Sequence, residues 1–228
     1  MVGESLASSV DRPAAIFLMG PTASGKTGLA LELVDRFGLQ LVSVDSSLVY
    51  RGLDIGTAKP DAATLARYPH ALVDIRDPQQ TYSAGDFAQD AQAAICTIHS
   101  GGHVPLLVGG TSLYFRALER GLSPLPAADA DVRRSLAAEA AARGWPSLHA
   151  RLAALDPLAA QRIHANDPQR IGRALEVIAL TGQPLSDLQG TPIRRRLGVR
   201  ILKLAVATPS RAELHARIAL RLDAMWQA

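Results

Sequence analysis

Four residues carry the clearest chemical pattern: Gly20, Gly25, Lys26 and Thr27, in the stretch "GPTASGKT". Their spacing, G-x-x-x-x-G-K-[ST], is that of a loop that grips phosphate. Backbone N–H groups from Thr22 to Thr27 would point into such a loop, and the start of the next helix adds partial positive charge. Lys26 would bridge phosphate oxygens, Thr27 would place its hydroxyl on Mg²⁺, and Gly25 permits a backbone shape that a Cβ would block. The alternative is an ordinary glycine-rich turn. Most loops of this kind hold ATP or GTP, so what the phosphates belong to is an open question at this stage.

Three further positions bear on the answer. Asp45 ends the apolar run "LQLVSVDSS". A carboxylate at a strand end can order a metal-bound water or accept a proton, and it can equally cap the turn that follows. Thr111, after Gly109 and Gly110 in "LLVGGTSLYF", is a helix cap or a second hydroxyl in the same pocket. Asp74 in "ALVDIRDP" stands where an ATPase would carry its second acidic residue, but the apolar run before it is short. The phosphate loop is convincing while the rest of an ATP machine is not.

The elements that must position these residues follow from the apolar pattern. Short runs alternate with helical spacing: "AAIFLMG" then a helix over 26–37, "LQLVSVDSS", "HALVDIRDP", a helix that stops at Gly101, "VPLLVGG" with its helix, and "VRILKLAVA" with another. That grammar predicts a parallel sheet covered by helices on both faces, with ligands at the carboxyl edge. From about 127 to 190 the strand pattern disappears. Asp129 or Asp131, Ser147 and Asp167 read as helix N-caps, and Gly144 and Gly182 as stops. Ile171, Leu175 and Ile178 make a core-facing stripe. The expected organisation is therefore a core over 1–126 and 193–228, interrupted by a helical unit over 127–192. "GLSPLPAAD" and "QGTPIRRRLG" are the crossing linkers.

Composition narrows the class. With 228 residues and 48% hydrophobic content, the chain can build one substantial core and a small inserted unit. The single cysteine, Cys96, excludes an internal disulfide and reads as a small core residue on a helix. No apolar run approaches the roughly 18 residues of a membrane span, and the N-terminus lacks a signal-peptide pattern, so a cytoplasmic protein is expected. Residues 1–125 carry 9 Lys+Arg and 12 Asp+Glu, net −3, whereas 126–228 carry 15 and 9, net +6, all but one of those cations being arginine. An arginine-rich half suggests a nucleic-acid partner, with a solvated basic face as the plain alternative.

The blocks "GPTASGKT", "VSVDSSLVYRGLDIGTAKP", "HALVDIRDPQQTYSAGDF", "PLLVGGTSLYFRALERGLSPLP" and "NDPQRIGRALEVIALTGQPLS" occur in order. Together they closely resemble the bacterial tRNA dimethylallyltransferase family over about residues 14–228. The resemblance implies a P-loop NTPase-like parallel sheet with an inserted all-helical domain that grips a tRNA anticodon stem-loop. It implies transfer of a dimethylallyl group from dimethylallyl diphosphate to N6 of the adenosine 3′ of the anticodon, with Mg²⁺, by a monomer. Gly20, Pro21, Thr22, Ala23, Ser24, Gly25, Lys26 and Thr27 would then hold the diphosphate leaving group, with Thr27 on the metal. Asp45, Thr111 and Lys26 would be catalytic, Asp45 as acceptor of the N6 proton. Asp45, Ser46, Ser47 and Leu48 would line the flipped base. Arg133, Gln169, Arg170, Ile171, Gly172 and Arg173 would contact tRNA. Family members continue with a Gly-Tyr-Arg segment and a basic Trp-containing segment, and these 228 residues contain neither. Two other readings compete: a P-loop small-molecule kinase using ATP, and an RNA-binding fragment without turnover.

Overall fold

Short apolar strands flanked by glycine form one sheet. The computed structural model describes residues 15–189 and 197–227. Strands β1 (Ala15–Met19), β2 (Gln40–Val44), β3 (His70–Ala71), β4 (Pro105–Gly109) and β5 (Ile201–Ala205) lie in the order β3-β2-β4-β1-β5. Every pairing is parallel. The side-chain alternation of a strand sends successive residues to opposite faces. Phe17, Val42, Val44 and Leu107 meet α3 (Ala84–Ser100) and α4 (Ser112–Arg120) on one face. Leu18, Leu41 and Leu106 meet α1 (Lys26–Phe37) on the other. The expected sheet with helices on both faces is therefore the observed architecture. The short α2 (Ala62–Arg67) and the terminal α10 (Arg211–Gln227) complete this unit.

The helix signals translate into geometry. Gly25 (φ 90°) and Gly38 (φ 64°) bracket α1 in left-handed conformations, which glycine adopts without steric cost. Ser83 and Asp86 form a reciprocal capping box on α3. Two expectations fail on this side. The strand expected over "HALVDIRDP" stops at Ala71, because Leu72 (φ 65°) and Asp74 (φ 55°) leave extended geometry. The chain pairs instead with the loop after β2, through Asp74 N to Leu48 O at 3.0 Å and Ile75 N to Val49 O at 2.8 Å. Cys96 is exposed, since the core face of α3 is set by Phe87, Ala91, Ile95 and Ile98.

Residues 122–189 form a second compact unit of α5 (Ala130–Arg143), α6 (Trp145–Leu155), α7 (Pro157–Arg162), α8 (Pro168–Thr181) and α9 (Leu185–Gln189). Leu148, Leu152, Ile171 and Leu175 are its fully buried centre. The crossing falls at Gly121 rather than at 126, because Leu125 packs on this core and the Pro126 carbonyl accepts from Arg173 Nη2 at 2.7 Å. The expected boundary at 192/193 and most of "QGTPIRRRLG" lie outside the described residues, as does the N-terminal segment. Asp129 caps α5 through the N–H groups of Asp131 and Val132, and Asp167 caps α8 through Arg170 N. Ser147 is no cap: α6 starts at Trp145, with Pro146 in its first turn.

Two buried carboxylates tie this unit together. Asp156 accepts from Ala159 N at 2.9 Å and Ser186 N at 2.8 Å, joining α7 to α9. Glu176, fully buried on α8, accepts from Asp129 N and Arg133 Nε at 2.8 Å and from Arg173 Nη1 at 2.6 Å. Burial pushes both carboxyls up, but these donors outweigh it and hold both below the usual range.

A carboxyl lowered in the fold contributes stability above its unfolded pKa and loses it as pH falls through the folded value. Thermal melts of the chain should therefore fall steadily below about pH 4.5, the ordinary Glu176 value, and Glu176→Gln should flatten that dependence while lowering the melt at pH 7. A Glu176→Gln profile as steep as wild type would remove this carboxyl from the account. Gly109→Ala should destabilise by about 1–3 kcal/mol or more in denaturant titrations, because its Cβ would stand 2.0 Å from the Val44 carbonyl oxygen.

Candidate active site

Register brings three loops to one level. Gly109 pairs with Met19 on β1 and with Val44 on β2, and Met19 pairs with Ala205. The phosphate loop, the Asp45 turn and the Gly110–Thr111 turn thus leave the sheet side by side. Contact is close: a Cβ on Gly20 would lie 2.3 Å from Val206 O, and Gly109 is tighter still against Val44 O. Side chains at either position would drive the strand ends apart. The phosphate-loop strand β1 lies between β4, which ends in glycine, and β5, while β3, which stops three residues before Asp74, is at the sheet's edge.

Lys26, Thr27, Asp45 and Leu48 line a cavity of about 100 Å³ at this edge, together with Thr22 and Ser43. A second space of about 370 Å³ shares Lys26, Thr27 and Arg221 as its wall. Lys26 Nζ donates to Pro21 O at 2.5 Å and reaches Ser24 Oγ at 3.4 Å, so it rests against its own loop. Burial lowers the Lys26 ammonium pKa, the Arg221 charge lowers it further, and Asp45 opposes both. Asp45 Oδ1 accepts from Ser47 N at 2.8 Å and Leu48 N at 3.4 Å, which is turn-capping geometry. Both readings of this residue, cap and cavity carboxylate, therefore hold at once.

The remaining expected residues separate. Thr111 makes no side-chain cap on α4. Its Oγ1 accepts from Ser46 N at 3.2 Å and its own N–H reaches Val44 O at 3.3 Å, so it buttresses the Asp45 turn. Pro21, Ala23, Ser24 and Gly25 shape the loop, Ala23 with φ 61°. Asp74 is taken up by Lys59, whose nearly buried Nζ lies 2.5 Å from Asp74 Oδ1, 2.8 Å from Asp54 Oδ1 and 2.8 Å from Tyr50 O. This clamp fastens the loop whose Thr57, Ala58 and Pro60 line the cavity. In the helical unit, Gln169 and Arg170 are exposed at the start of α8. Ile171 is wholly buried, so its side chain packs the core and is not available to a ligand, and a Cβ on Gly172 would lie 3.6 Å from the Trp145 ring. Arg133 and Arg173 are tied to Glu176, with Arg133 still 56% exposed along its side chain.

Three residues have no counterpart in the sequence-based set. Arg221 on α10 lines both spaces beside Lys26. Ser43 lies two residues before Asp45 on β2 and lines the cavity. Glu176 organises two arginines. Among the described residues, the buried side-chain polar atoms without a hydrogen-bond partner are Ser43 Oγ and Arg221 Nε, and both residues line this one cavity. The alternation of β2 was the only available hint for Ser43: it is a hydroxyl on a face that is otherwise apolar.

The comparisons with known proteins agree with this geometry. Residues 48–228 match the family described as IPP transferase. A tRNA dimethylallyltransferase of Thiobacillus denitrificans is 60% identical over 97% of this chain, and one of Xanthomonas axonopodis pv. citri is 62% identical over 94%. The chain spans 70% and 65% of those two relatives' lengths. Among solved structures, the full-length tRNA isopentenylpyrophosphate transferase of Bacillus halodurans is 37% identical, with a TM-score of 0.58 over 95% of this chain and 67% of that one. A eukaryotic dimethylallyltransferase acting on tRNA gives 26% identity and a TM-score of 0.69 over 93% of this chain and 52% of that one. A phosphate loop, a strand-end aspartate and a helical unit in this order, matched at this identity, have one explanation: the chain belongs to the IPP transferase family.

Proposed function

We propose that this chain carries the prenyl-transfer centre of a tRNA dimethylallyltransferase, moving a dimethylallyl group from its diphosphate to N6 of the adenosine 3′ of the anticodon. The observation that carries the reading is that Lys26, Thr27 and Asp45 line one small cavity. A phosphate grip and a proton acceptor thus face each other across a space the size of a small alkyl group. The kinase reading is not favoured, because the strands on either side of β1 end in Gly109 and Ala205 rather than in an acid.

In this mechanism the loop amides, Lys26 and Arg221 receive the charge that grows on diphosphate as the C1–O bond breaks. Electrostatic stabilisation of this kind is worth about 3–4 kcal/mol per donor removed. The N6 lone pair forms the new bond to C1 and the N6 proton passes to Asp45. Oδ1 of Asp45 is already held by Ser47 and Leu48 N–H groups, so Oδ2 is the proton acceptor. The adenine leaves its stack to reach it. Leu48 and the Asp45–Ser47 turn form the wall against the base, with Thr111 holding that turn in place. In the helical unit, Arg170, Gln169 and the outer edge of Arg133 supply the anticodon stem-loop contacts, where arginine suits phosphate recognition.

Magnesium fits the donors present. Mg²⁺ binds few protein oxygens, keeps several waters and takes substrate phosphates, so the Thr27 hydroxyl would suffice as its protein ligand and Asp45 stays free to accept the proton. No group of three acidic, His or Cys side chains suited to a metal occurs among the described residues. The ion would neutralise charge on the departing diphosphate. No helix among the described residues is long and apolar enough to cross a membrane. A tRNA substrate supports a cytoplasmic enzyme.

Lys26→Ala and Asp45→Ala should each lower transfer of labelled dimethylallyl to an anticodon stem-loop by about 10² or more. Unchanged transfer by both would remove this mechanism, and saturable ATP binding with indifference to dimethylallyl diphosphate would favour a kinase. Lys26 holds anion only while protonated, and its pKa lies below the usual 10.5. The affinity gap between wild type and Lys26→Ala for diphosphate, measured from pH 7 to pH 10, should therefore narrow as pH rises, since deprotonated Lys26 no longer holds the anion. A gap that stays constant over the same range would argue against Lys26 as the anion holder.

A further inference from the structure

The buried hydroxyl of Ser43 has a position that the reaction above does not use. On β2, Leu41 and Ser43 point to the face covered by α1, whereas Val42 and Val44 point to the opposite core. The neighbouring strands present Ile16, Leu18, Leu106 and Val108 to the same α1 face. Ser43 is therefore a lone hydroxyl in an apolar layer, 3% exposed, with no protein partner for Oγ. A buried hydroxyl left without a hydrogen bond is costly, and alanine or valine would fill the layer without that cost. A buried hydroxyl without a protein partner takes one from water or from a bound ligand.

Position decides which ligand group. Ser43 lines the cavity with Lys26, Thr27 and Asp45. It lies on β2, separated from the phosphate-loop strand β1 by β4. Two strand spacings put it roughly 10 Å across the sheet from that loop, beyond direct reach of phosphates that the loop amides hold. A prenyl chain offers no hydrogen bond. The adenine amine is taken by Asp45. Within reach is a water in the shell of a cation shared by Thr27 and the diphosphate, and Mg²⁺ keeps several such waters.

We propose that Ser43 is a positioning residue for the hydrated Mg²⁺–diphosphate: Oγ accepts a hydrogen bond from a cation-bound water when both occupy the loop. The proposal rests on the reading of the loop as a diphosphate site. The test is calorimetric titration of the 228-residue chain with inorganic diphosphate, with and without MgCl₂, alongside thermal melts of the ligand-free protein. Ser43→Ala should weaken binding in Mg²⁺ roughly tenfold, the scale of a hydrogen bond to a charged assembly. It should leave Mg²⁺-free binding unchanged and the ligand-free melting temperature equal or higher. Equal affinities in Mg²⁺ for Ser43→Ala and wild type would overturn the proposal. An equal loss with and without Mg²⁺ would also overturn it, pointing to direct phosphate contact. So would a lowered melting temperature without a Mg²⁺-specific change, which would make the hydroxyl structural. Lys26→Ala separates the two levels: if it leaves diphosphate binding intact, the loop reading itself fails and takes this inference with it. If Lys26→Ala abolishes binding and Ser43→Ala changes nothing, only Ser43 is misassigned.

Discussion

The close approach of β2 and β4 at Gly109 sets the site. A side chain there would begin 2.0 Å from the Val44 carbonyl oxygen, so only glycine lets the two strand ends lie at this spacing. The consequences run outward from that contact. Val44 leads directly into Asp45, and Gly109 leads into Gly110 and Thr111. The Thr111 N–H returns to Val44 O at 3.3 Å and its hydroxyl takes Ser46 N at 3.2 Å. Two loops that are 65 residues apart in sequence are thereby stitched into one wall. The same level carries Met19 and the phosphate loop. A carboxylate and a lysine from different crossovers come to share a cavity because backbone, not side chains, fills the space between them.

Electrostatics divide the molecule into two styles of construction. In the helical unit the buried carboxylates are matched. Glu176 receives two arginines and a backbone N–H, and Asp156 receives two backbone N–H groups. Breaking one partner of such a buried set leaves an uncompensated charge, which is why these contacts act as ties. The cavity of the sheet unit is built the other way. Lys26 and Arg221 are like charges on one wall, Lys26 donates to its own loop, and two buried polar atoms have no partner. Buried polar groups in folded proteins are nearly always paired, so a local deficit of this kind is consistent with the proposed diphosphate site.

Several features were legible from neighbouring residues alone. The glycine-lysine-threonine spacing and the bounds of α1 at 26–37 are local properties, as are the Asp129 and Asp167 caps and the left-handed Gly182. Features that depend on which surface a residue meets were not. Cys96 sits on a helix with a clear apolar stripe, yet it falls beside that stripe and is exposed. The burial of Ile171, by contrast, was legible from its stripe with Leu175 and Ile178, and it takes this side chain away from the RNA contact expected of its segment. The apolar run at 70–75 looked like a strand until the loop after β2 offered Leu48 and Val49 as partners.

Residue order alone encodes the local grammar: a phosphate loop between a strand and a helix, strands alternating with helices, an interrupting helical segment, and blocks specific enough to name a family. Each of these is encoded in residues near one another along the chain. Folding in three dimensions set which strands flank the phosphate loop, paired Asp74 with Lys59, and brought Arg221 and Ser43 to one cavity with Lys26 and Asp45. The physical reason is that crossover connections place strands in the order β3-β2-β4-β1-β5. Neighbours in space are then 60 or more residues apart in sequence for the β2–β4 pair, and no local pattern of residue types records that adjacency.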